Sequence, residues 1–204
     1  MGRTSTARER IIESAFTLWF RRSYADVGVS EICADAGVQK GSFYHYFPSK
    51  TDLAVAVVGE VEQRYARDIV AGLLEDPDVP PLERLEKLVE HHYAFAVANK
   101  DDTGHVWGCP IGNLAIEMST QDEVLRERLS SFFARWAEGF AHLLDEAVLR
   151  GDLPPHDTEA AGLSLLAYVQ GVTLLVKTGN DPDLIRTIGP AIVAIANAPA
   201  AVPA

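Results

Sequence analysis

The residues best suited to chemistry lie between Ser30 and Lys50, in the run SEICADAGVQKGSFYHYFPSK. Gln39, Lys40, Ser42, Tyr44, His45 and Tyr46 bring an amide, an ammonium, hydroxyls and an imidazole close together in sequence. Groups of this kind donate to phosphate oxygens and pair with base edges in a DNA groove, so the chemistry is recognition rather than catalysis. To do it they must stand on a short rigid element, and the flanking residues supply one. Ile32, Cys33 and Ala36 place small and apolar atoms on one helical face, with Ser30 as the expected N-cap. Gly37 falls where the chain must turn sharply, Val38 can plug the corner, and Pro48 ends the second helix. The spacing predicts a helix, a tight turn and a second helix that enters a major groove.

This stretch resembles the DNA-binding segment of the tetracycline-repressor (TetR) family. The likeness rests on Ala36-Gly37-Val38, on Lys40-Gly41-Ser42-Phe43-Tyr44-His45-Tyr46-Phe47, and on Ser49-Lys50 with Leu53. It extends over the first 53 residues or so, including a preceding helix with Ile12, Ala15, Phe16 and Trp19 on its buried stripe. Gln39 departs from the family's usual Ser or Thr: either a cap worth about 1 kcal/mol is missing, or Gln39 contributes to base reading. Cys33 stands where a small Ala is commoner. The resemblance implies a DNA-binding set of Arg3, Ser30, Gln39, Lys40, Gly41, Ser42, Tyr44, His45, Tyr46 and Lys50. Gln39, Lys40 and Tyr44 are the expected base readers, and Ser30, Ser42, His45, Tyr46 and Lys50 are expected to fix register on phosphates.

Charge is distributed to suit that reading. The 204-residue chain carries a net charge of -11, which argues against a generic polyanion binder. Residues 1–50 nevertheless hold seven Lys/Arg against five Asp/Glu. A mildly basic head on an acidic body confines nucleic-acid contact to the head, where Arg3, Arg8, Lys40 and Lys50 can meet phosphates. No apolar run approaches membrane-spanning length, and the N-terminus lacks a signal-peptide pattern. Two cysteines far apart make no disulfide framework, so a cytoplasmic protein with reduced thiols is expected.

The remainder reads as all-helical, because no period-2 pattern persists and punctuation recurs at helical intervals. Ser49 with Asp52 forms a capping-box signature for a helix from Lys50 to Leu74. Pro80-Pro81 opens another, to about Asn99, followed by a loop over 100–108 and a short helix from Pro110 to Met118. Thr120 with Glu123 opens a helix to Arg150, where Gly151 stops it. Asp157 caps a helix to Lys177, and Asp181-Pro182 begins the last one, to about Asn197. The fold class is all-α. Residues 1–49 are expected to form a three-helix head, 50–197 a body of about six helices, and 198–204 a flexible tail.

The resemblance gives the body two jobs, homodimerisation and binding of a small effector. The last two long helices are apolar over wide arcs, through Leu163, Leu166, Leu174, Ile185, Ile188, Ile192 and Ile195, which suits pairing with a second copy. The alternative is that they only complete the monomer core. A dimer would carry two heads about 34–36 Å apart onto a palindromic operator. For the effector, Phe95, Trp107, Cys109, Trp136 and Tyr168 are the expected lining, although aromatics at helical spacing usually belong to the core.

The segment from His105 to Glu117, HVWGCPIGNLAIE, resembles one found in a subgroup of the family, some of whose members sense electrophiles or oxidants through a cysteine. With Pro110 as first helical residue, Cys109 sits near a helix N-terminus that favours thiolate, with His105 close in sequence to assist. Packing in the core is the competing role for that cysteine. His91, His92, His105, Cys109 and Glu117 offer donor atoms, but Gly104 and Gly108 break the spacing a metal site needs, so neither metal nor cofactor is expected. No P-loop, nucleophile-elbow, zinc-protease or dinucleotide signature occurs. The expected function is a DNA-binding repressor, released from its operator by a small-molecule or electrophile effector and not an enzyme. The rival is a helical protein-binding module without DNA recognition, which would leave the polar aromatic helix without a purpose.

Overall fold

The computed structural model describes residues 6–197, and every regular element among them is a helix. The expected tail, 198–204, and Arg3 lie outside the described residues. The chain divides into two compact units: residues 1–63 with 110–130, and residues 64–109 with 131–204. Where the sequence suggests a boundary at residue 49, the first unit thus takes in most of the next helix and a second stretch of chain 60 to 80 residues further on.

In the first unit, α1 (Ala7–Arg21) opens on a complete capping box. Thr6 Oγ1 accepts from the Glu9 N–H at 3.2 Å, and Glu9 Oε2 accepts from the Thr6 N–H at 2.9 Å. Its Ile11, Ile12, Ala15 and Trp19 are buried at helical spacing against α2 (Val29–Asp35) and α3 (Lys40–Tyr46). Gly28, not Ser30, begins α2: its extended backbone presents a carbonyl to the N–H groups of Glu31 and Ile32, which leaves Ser30 inside the first turn and exposed. Gly37 makes the turn between α2 and α3 with φ +63°, a conformation that a side chain would strain.

The helix α4 (Lys50–Tyr65) starts where the Ser49–Asp52 pair predicts; Ser49 Oγ accepts from the Asp52 N–H at 3.1 Å. It does not run on regularly to Leu74. After Tyr65 the chain stays helical but widens into a π-helical stretch, Ala66–Leu74. The unit is completed by α6 (Pro110–Met118), which packs on α1, and by the start of α7 (Glu123–Arg150). Asp122 rather than Thr120 caps α7, its Oδ1 accepting from the Leu125 N–H at 3.1 Å.

In the second unit, α5 (Pro81–Thr103) runs several residues into the expected loop and stops only at Gly104, which adopts φ +78°. The remaining elements are the rest of α7, then α8 (Thr158–Gly179), α9 (Asp183–Ile188) and α10 (Ala191–Ala196). Asp157 caps α8 as expected, through the Ala160 N–H at 3.0 Å. The single helix expected at the end is broken at Gly189-Pro190, because Pro190 has no N–H to continue the ladder. Helices α7 and α8 touch at Gly162, where an added Cβ would lie 2.6 Å from the Ala137 carbonyl oxygen.

Helix α8 corrects one expectation. With 22 residues and a mean hydropathy of 1.5 over its apolar window, it is long and apolar enough to cross a membrane by those measures alone. Part of it is core instead: Leu165, Leu166, Val169 and Val176 are buried, and the helix packs on α9 and α10. Leu163, Leu174 and Leu175 are more than half exposed.

Candidate nucleic-acid interface

The recognition helix α3 is held from beneath. Phe43 is fully buried and Phe47 nearly so, their ring centroids 5.9 Å apart. Arg10 Nε donates to the Ala36 carbonyl at 3.1 Å, and Ser14 Oγ to the Ile32 carbonyl at 3.2 Å, which ties α2 and its turn to α1. Anchored on this apolar side, α3 turns its other side to solvent. Gln39, Lys40, Gly41, Tyr44, His45 and Tyr46 are all exposed, Tyr44 at 55%, and Ser42 is half-buried. Gln39 is the N-cap residue of α3, but its side chain makes no capping bond. Tyr44 rests edge-on against Phe43, and His45 against Tyr46. Amides, hydroxyls, an ammonium and aromatic rings on one rigid short helix are what reading base edges requires.

Two cations expected at phosphates are engaged within the head. Lys50 donates to the Tyr24 carbonyl and lies over the Tyr24 ring, its nitrogen 4.0 Å from the centroid. Burial pulls the Lys50 ammonium below its ordinary pKa, partly offset by Glu117. Lys50 therefore ties the start of α4 to the loop after α1. Arg8 lies over the Phe47 ring at 5.5 Å.

Glu117 holds the head together from outside its first 50 residues. Its Oε2 accepts from the Tyr24 N–H at 2.9 Å and its Oε1 from the Ala25 N–H at 2.7 Å. The carboxylate thus clamps the loop between α1 and α2, beside Lys50. Asp122 Oδ2 accepts from Thr51 Oγ1 at 2.7 Å, a second tie from the 110–130 stretch to the start of α4. The hint was the placement of Glu117 at the end of the Gly-Asn-Leu-Ala-Ile-Glu run, but its partners are ninety residues away in the chain.

The residues expected to line an effector site do not all converge. Cys109 directly precedes α6, as anticipated, and its Sγ lies 3.7 Å from Gln170 Nε2. Trp136 is buried among aromatic rings, against Tyr65 and Phe140. Trp107 donates from Nε1 to Thr103 Oγ1 at 2.8 Å and packs on His105, whose Nδ1 is 3.2 Å from the Thr103 carbonyl. Tyr168 bonds the Ile188 carbonyl and lines a different cavity, with His92, Val169 and Ile192. Phe95 is 45% exposed. Tyr65, which sequence reasoning passed over, stands 4.7 Å from Trp136 between ring centroids. Among the described residues no three His, Cys, Asp or Glu side chains gather as a metal site would need.

Known proteins match both units. Residues 11–57 fit the model of bacterial regulatory proteins of the tetR family, and residues 81–192 fit that of the tetracyclin repressor-like C-terminal domain. The HTH-type transcriptional repressor DhaR of Mycobacterium sp. (strain GP1) is 32% identical over 190 residues, covering 90% of this chain and 88% of its own. The transcriptional regulator AcuR of Cereibacter sphaeroides is 31% identical over 184 residues, covering 90% and 82%. Among solved structures, the regulatory protein TetR from Rhodobacter sphaeroides superposes with a TM-score of 0.82 at 29% identity, over 94% of this chain and 99% of that one. The reduced form of NemR from E. coli shares the fold, with a TM-score of 0.78 at 22% identity over 97% and 100%. With a helix-turn-helix that presents its polar side outward and matches across both units, the chain belongs to the TetR family of DNA-binding transcriptional regulators.

Proposed function

We propose that the protein is a homodimeric repressor that holds a palindromic operator until an effector bound in the second unit releases it. The observation that carries this reading is the contrast between α3, polar and exposed on a buried aromatic base, and α8, whose Leu163, Leu174 and Leu175 stand exposed on an apolar helix. The first suits a groove and the second suits another copy of the chain, paired through α8 and the α9–α10 segment. Gln39, Lys40 and Tyr44 read bases, while Ser30, Gly41, Ser42, His45 and Tyr46 meet the backbone from the same face. Effector binding displaces α4 and changes the separation of the two heads, so that both no longer fit their half-sites. Such a regulator works in the cytoplasm, where its operator is.

The effector is a small molecule or an electrophile, with Cys109 at the N-terminus of α6 as the site of any thiol chemistry. The testing experiment is fluorescence anisotropy on DNA from upstream of the protein's own gene, against a scrambled duplex, across a salt series. Two protomers per site and steep salt dependence are expected. Equal, weak binding to both duplexes, with nothing selected from a random library, would remove operator recognition. Treatment with N-ethylmaleimide separates the two effector classes: release that persists unchanged in Cys109→Ala rules out the cysteine.

A further inference from the structure

Tyr65 and Trp136 each bury a hydrogen-bond donor that nothing in the structure satisfies, the phenol O–H and the indole N–H. Native interiors leave few such groups unpaired, because each costs its full desolvation. Four side-chain atoms are in this condition among the described residues, and two of them belong to these neighbouring rings, 4.7 Å apart and inclined at 55°. Phe132 flanks both, at 6.0 Å from Tyr65 and 6.1 Å from Trp136. Trp136 is only 5% exposed, but the Tyr65 ring is half-buried, so the pair is not sealed off from solvent. Tyr65 is also the last residue of α4 before the helix widens into the π-helical stretch at Ala66, a distortion often found at functional positions.

We infer that Tyr65 Oη and Trp136 Nε1 are the polar handle of a ligand site in the second unit, and that its ligand is an aromatic or apolar compound presenting a neutral carbonyl oxygen to both donors. The inference rests on reading the second unit as the effector-binding part of the protein. The neighbouring side chains, Phe132 and Phe140, are aromatic, so the body of the ligand is apolar. Both donors are neutral, and burial pushes the Tyr65 phenol far above its ordinary pKa, so it remains a donor at any physiological pH. A carboxylate between two neutral donors would bury an unpaired charge, which disfavours acids relative to ketones, aldehydes, esters or quinones. Because Tyr65 ends α4, a ligand held there acts on the helix that begins at the recognition head.

The experiment uses the full-length protein and three probes that share a phenyl ring: acetophenone, the isosteric hydrocarbon α-methylstyrene, and benzoate. Binding is measured by calorimetry on wild type, Tyr65→Phe and Trp136→Phe, with thermal melting of each unliganded protein. Acetophenone is expected to bind at least about ten-fold more tightly than α-methylstyrene, because only the ketone satisfies the donors. Tyr65→Phe should weaken acetophenone roughly 3- to 10-fold, leave α-methylstyrene unchanged, and raise the melting temperature by roughly 2–8 °C.

Equal binding of ketone and hydrocarbon, a preference for benzoate, or no binding of any probe would overturn the inference. So would a lower melting temperature in Tyr65→Phe, which would show that a buried water already satisfies the hydroxyl. If Trp136→Phe does not fold, Tyr65→Phe decides alone. Operator release is read in parallel. Acetophenone that binds through Tyr65 without releasing operator would retain the site and remove the effector reading. Release by another compound that is indifferent to both substitutions would do the reverse.

Discussion

Tyr44 and Tyr65 mark the difference between the two units. Tyr44 is 55% exposed on α3, and its ring is steadied by the fully buried Phe43. Tyr65 hides its hydroxyl inside the second unit, next to another donor in the same condition. In the head, the polar groups of α3 face outward, and several groups beneath them are paired: Arg10 with Ala36, Ser14 with Ile32, Lys50 with Tyr24, Glu117 with Tyr24 and Ala25, while the Trp19 indole N–H is the one buried donor there without a partner among the described residues. In the body, the unpaired phenol of Tyr65 and indole of Trp136 are both buried. A DNA groove is met by a convex surface, whereas a small ligand is met by an interior, and the two demands leave opposite signatures.

The body also contains an interior charge that is fully paired, and breaking it gives the largest effect. Arg84 is 1% exposed, donates to the carbonyls of Val79 and Leu74, and grips Glu146 with both terminal nitrogens at 2.6 and 2.9 Å. Arg84→Ala leaves the Leu74 and Val79 carbonyls without their donor and Glu146 without its main partner. A loss of about 3–5 kcal/mol in urea unfolding is expected. Arg84→Met combined with Glu146→Leu should recover part of that loss, because Met refills the space Arg84 occupied, while the two carbonyls stay without a donor. A double variant no better than Arg84→Ala would mean that the two carbonyls, and not the carboxylate, dominate.

The head should show the opposite pattern, with large effects on binding and small ones on stability. Gln39→Ala is expected to weaken operator binding by about 1–3 kcal/mol and to relax preference at one base pair per half-site. Lys40→Ala should weaken all duplexes alike and lower the slope of log affinity against log salt by about one per contacted phosphate. Neither should move the melting temperature by more than a degree or two, since both side chains are exposed. A melting temperature that falls with affinity would place these residues in the fold of α3 and erase the contrast with Lys50.

Glu117 sharpens the comparison, because it is a paired group whose loss should be read in DNA binding. Glu117→Ala removes the acceptor from two backbone N–H groups between α1 and α2, which costs about 1–3 kcal/mol of stability. Operator affinity should fall as well, although Glu117 is absent from α3. Glu117→Gln, which keeps one acceptor, should be intermediate in both. Unchanged affinity in Glu117→Ala would show that the loop it clamps does not set the position of the recognition helix.

How much of this was legible in the sequence follows from the same asymmetry. An outward polar cluster such as Gln39–Tyr46 is anomalous in composition, and Gly37 and Pro48 fix its frame locally, so the head could be read from adjacent residues. Ser49, Asp157 and Gly151 likewise marked helix ends because caps and stops act within a turn. Ser30 and Thr120 were displaced as caps by Gly28 and Asp122, whose backbone and side chain do the same work two residues away. Glu117 and Tyr65 escaped because their meaning depends on partners 70 to 90 residues distant. Of five residues expected around an effector, Trp136 and Cys109 share an environment with Tyr65, while Tyr168 turns to Ile188 and Phe95 to solvent. An aromatic side chain in a helical pattern carries no mark of which core contact it will make.

The smallest effect distinguishes the units by acid. His92 lines the apolar cavity between α5, α8, α9 and α10, and its Nδ1 donates to the Leu88 carbonyl at 2.8 Å. Burial holds its imidazole below the ordinary pKa, with His91 acting in the same direction. A base whose folded pKa is depressed adds no penalty above the unfolded value near 6.5, because neither state is protonated. Below about pH 6.5 the unfolded chain takes up the proton first, and stability falls by at most about 1.4 kcal/mol per pH unit until the folded pKa is passed. In the head, Asp122 is held below its ordinary value by Thr51 and by the Leu125 N–H, so its contribution is complete above about pH 4 and is lost only below that. Between pH 6.5 and 5, His92→Gln should therefore flatten the fall in melting temperature, while Asp122→Asn should leave its slope unchanged. A slope in that range that ignores His92→Gln would mean that the imidazole is already protonated in the folded protein, with its charge reaching water through the cavity.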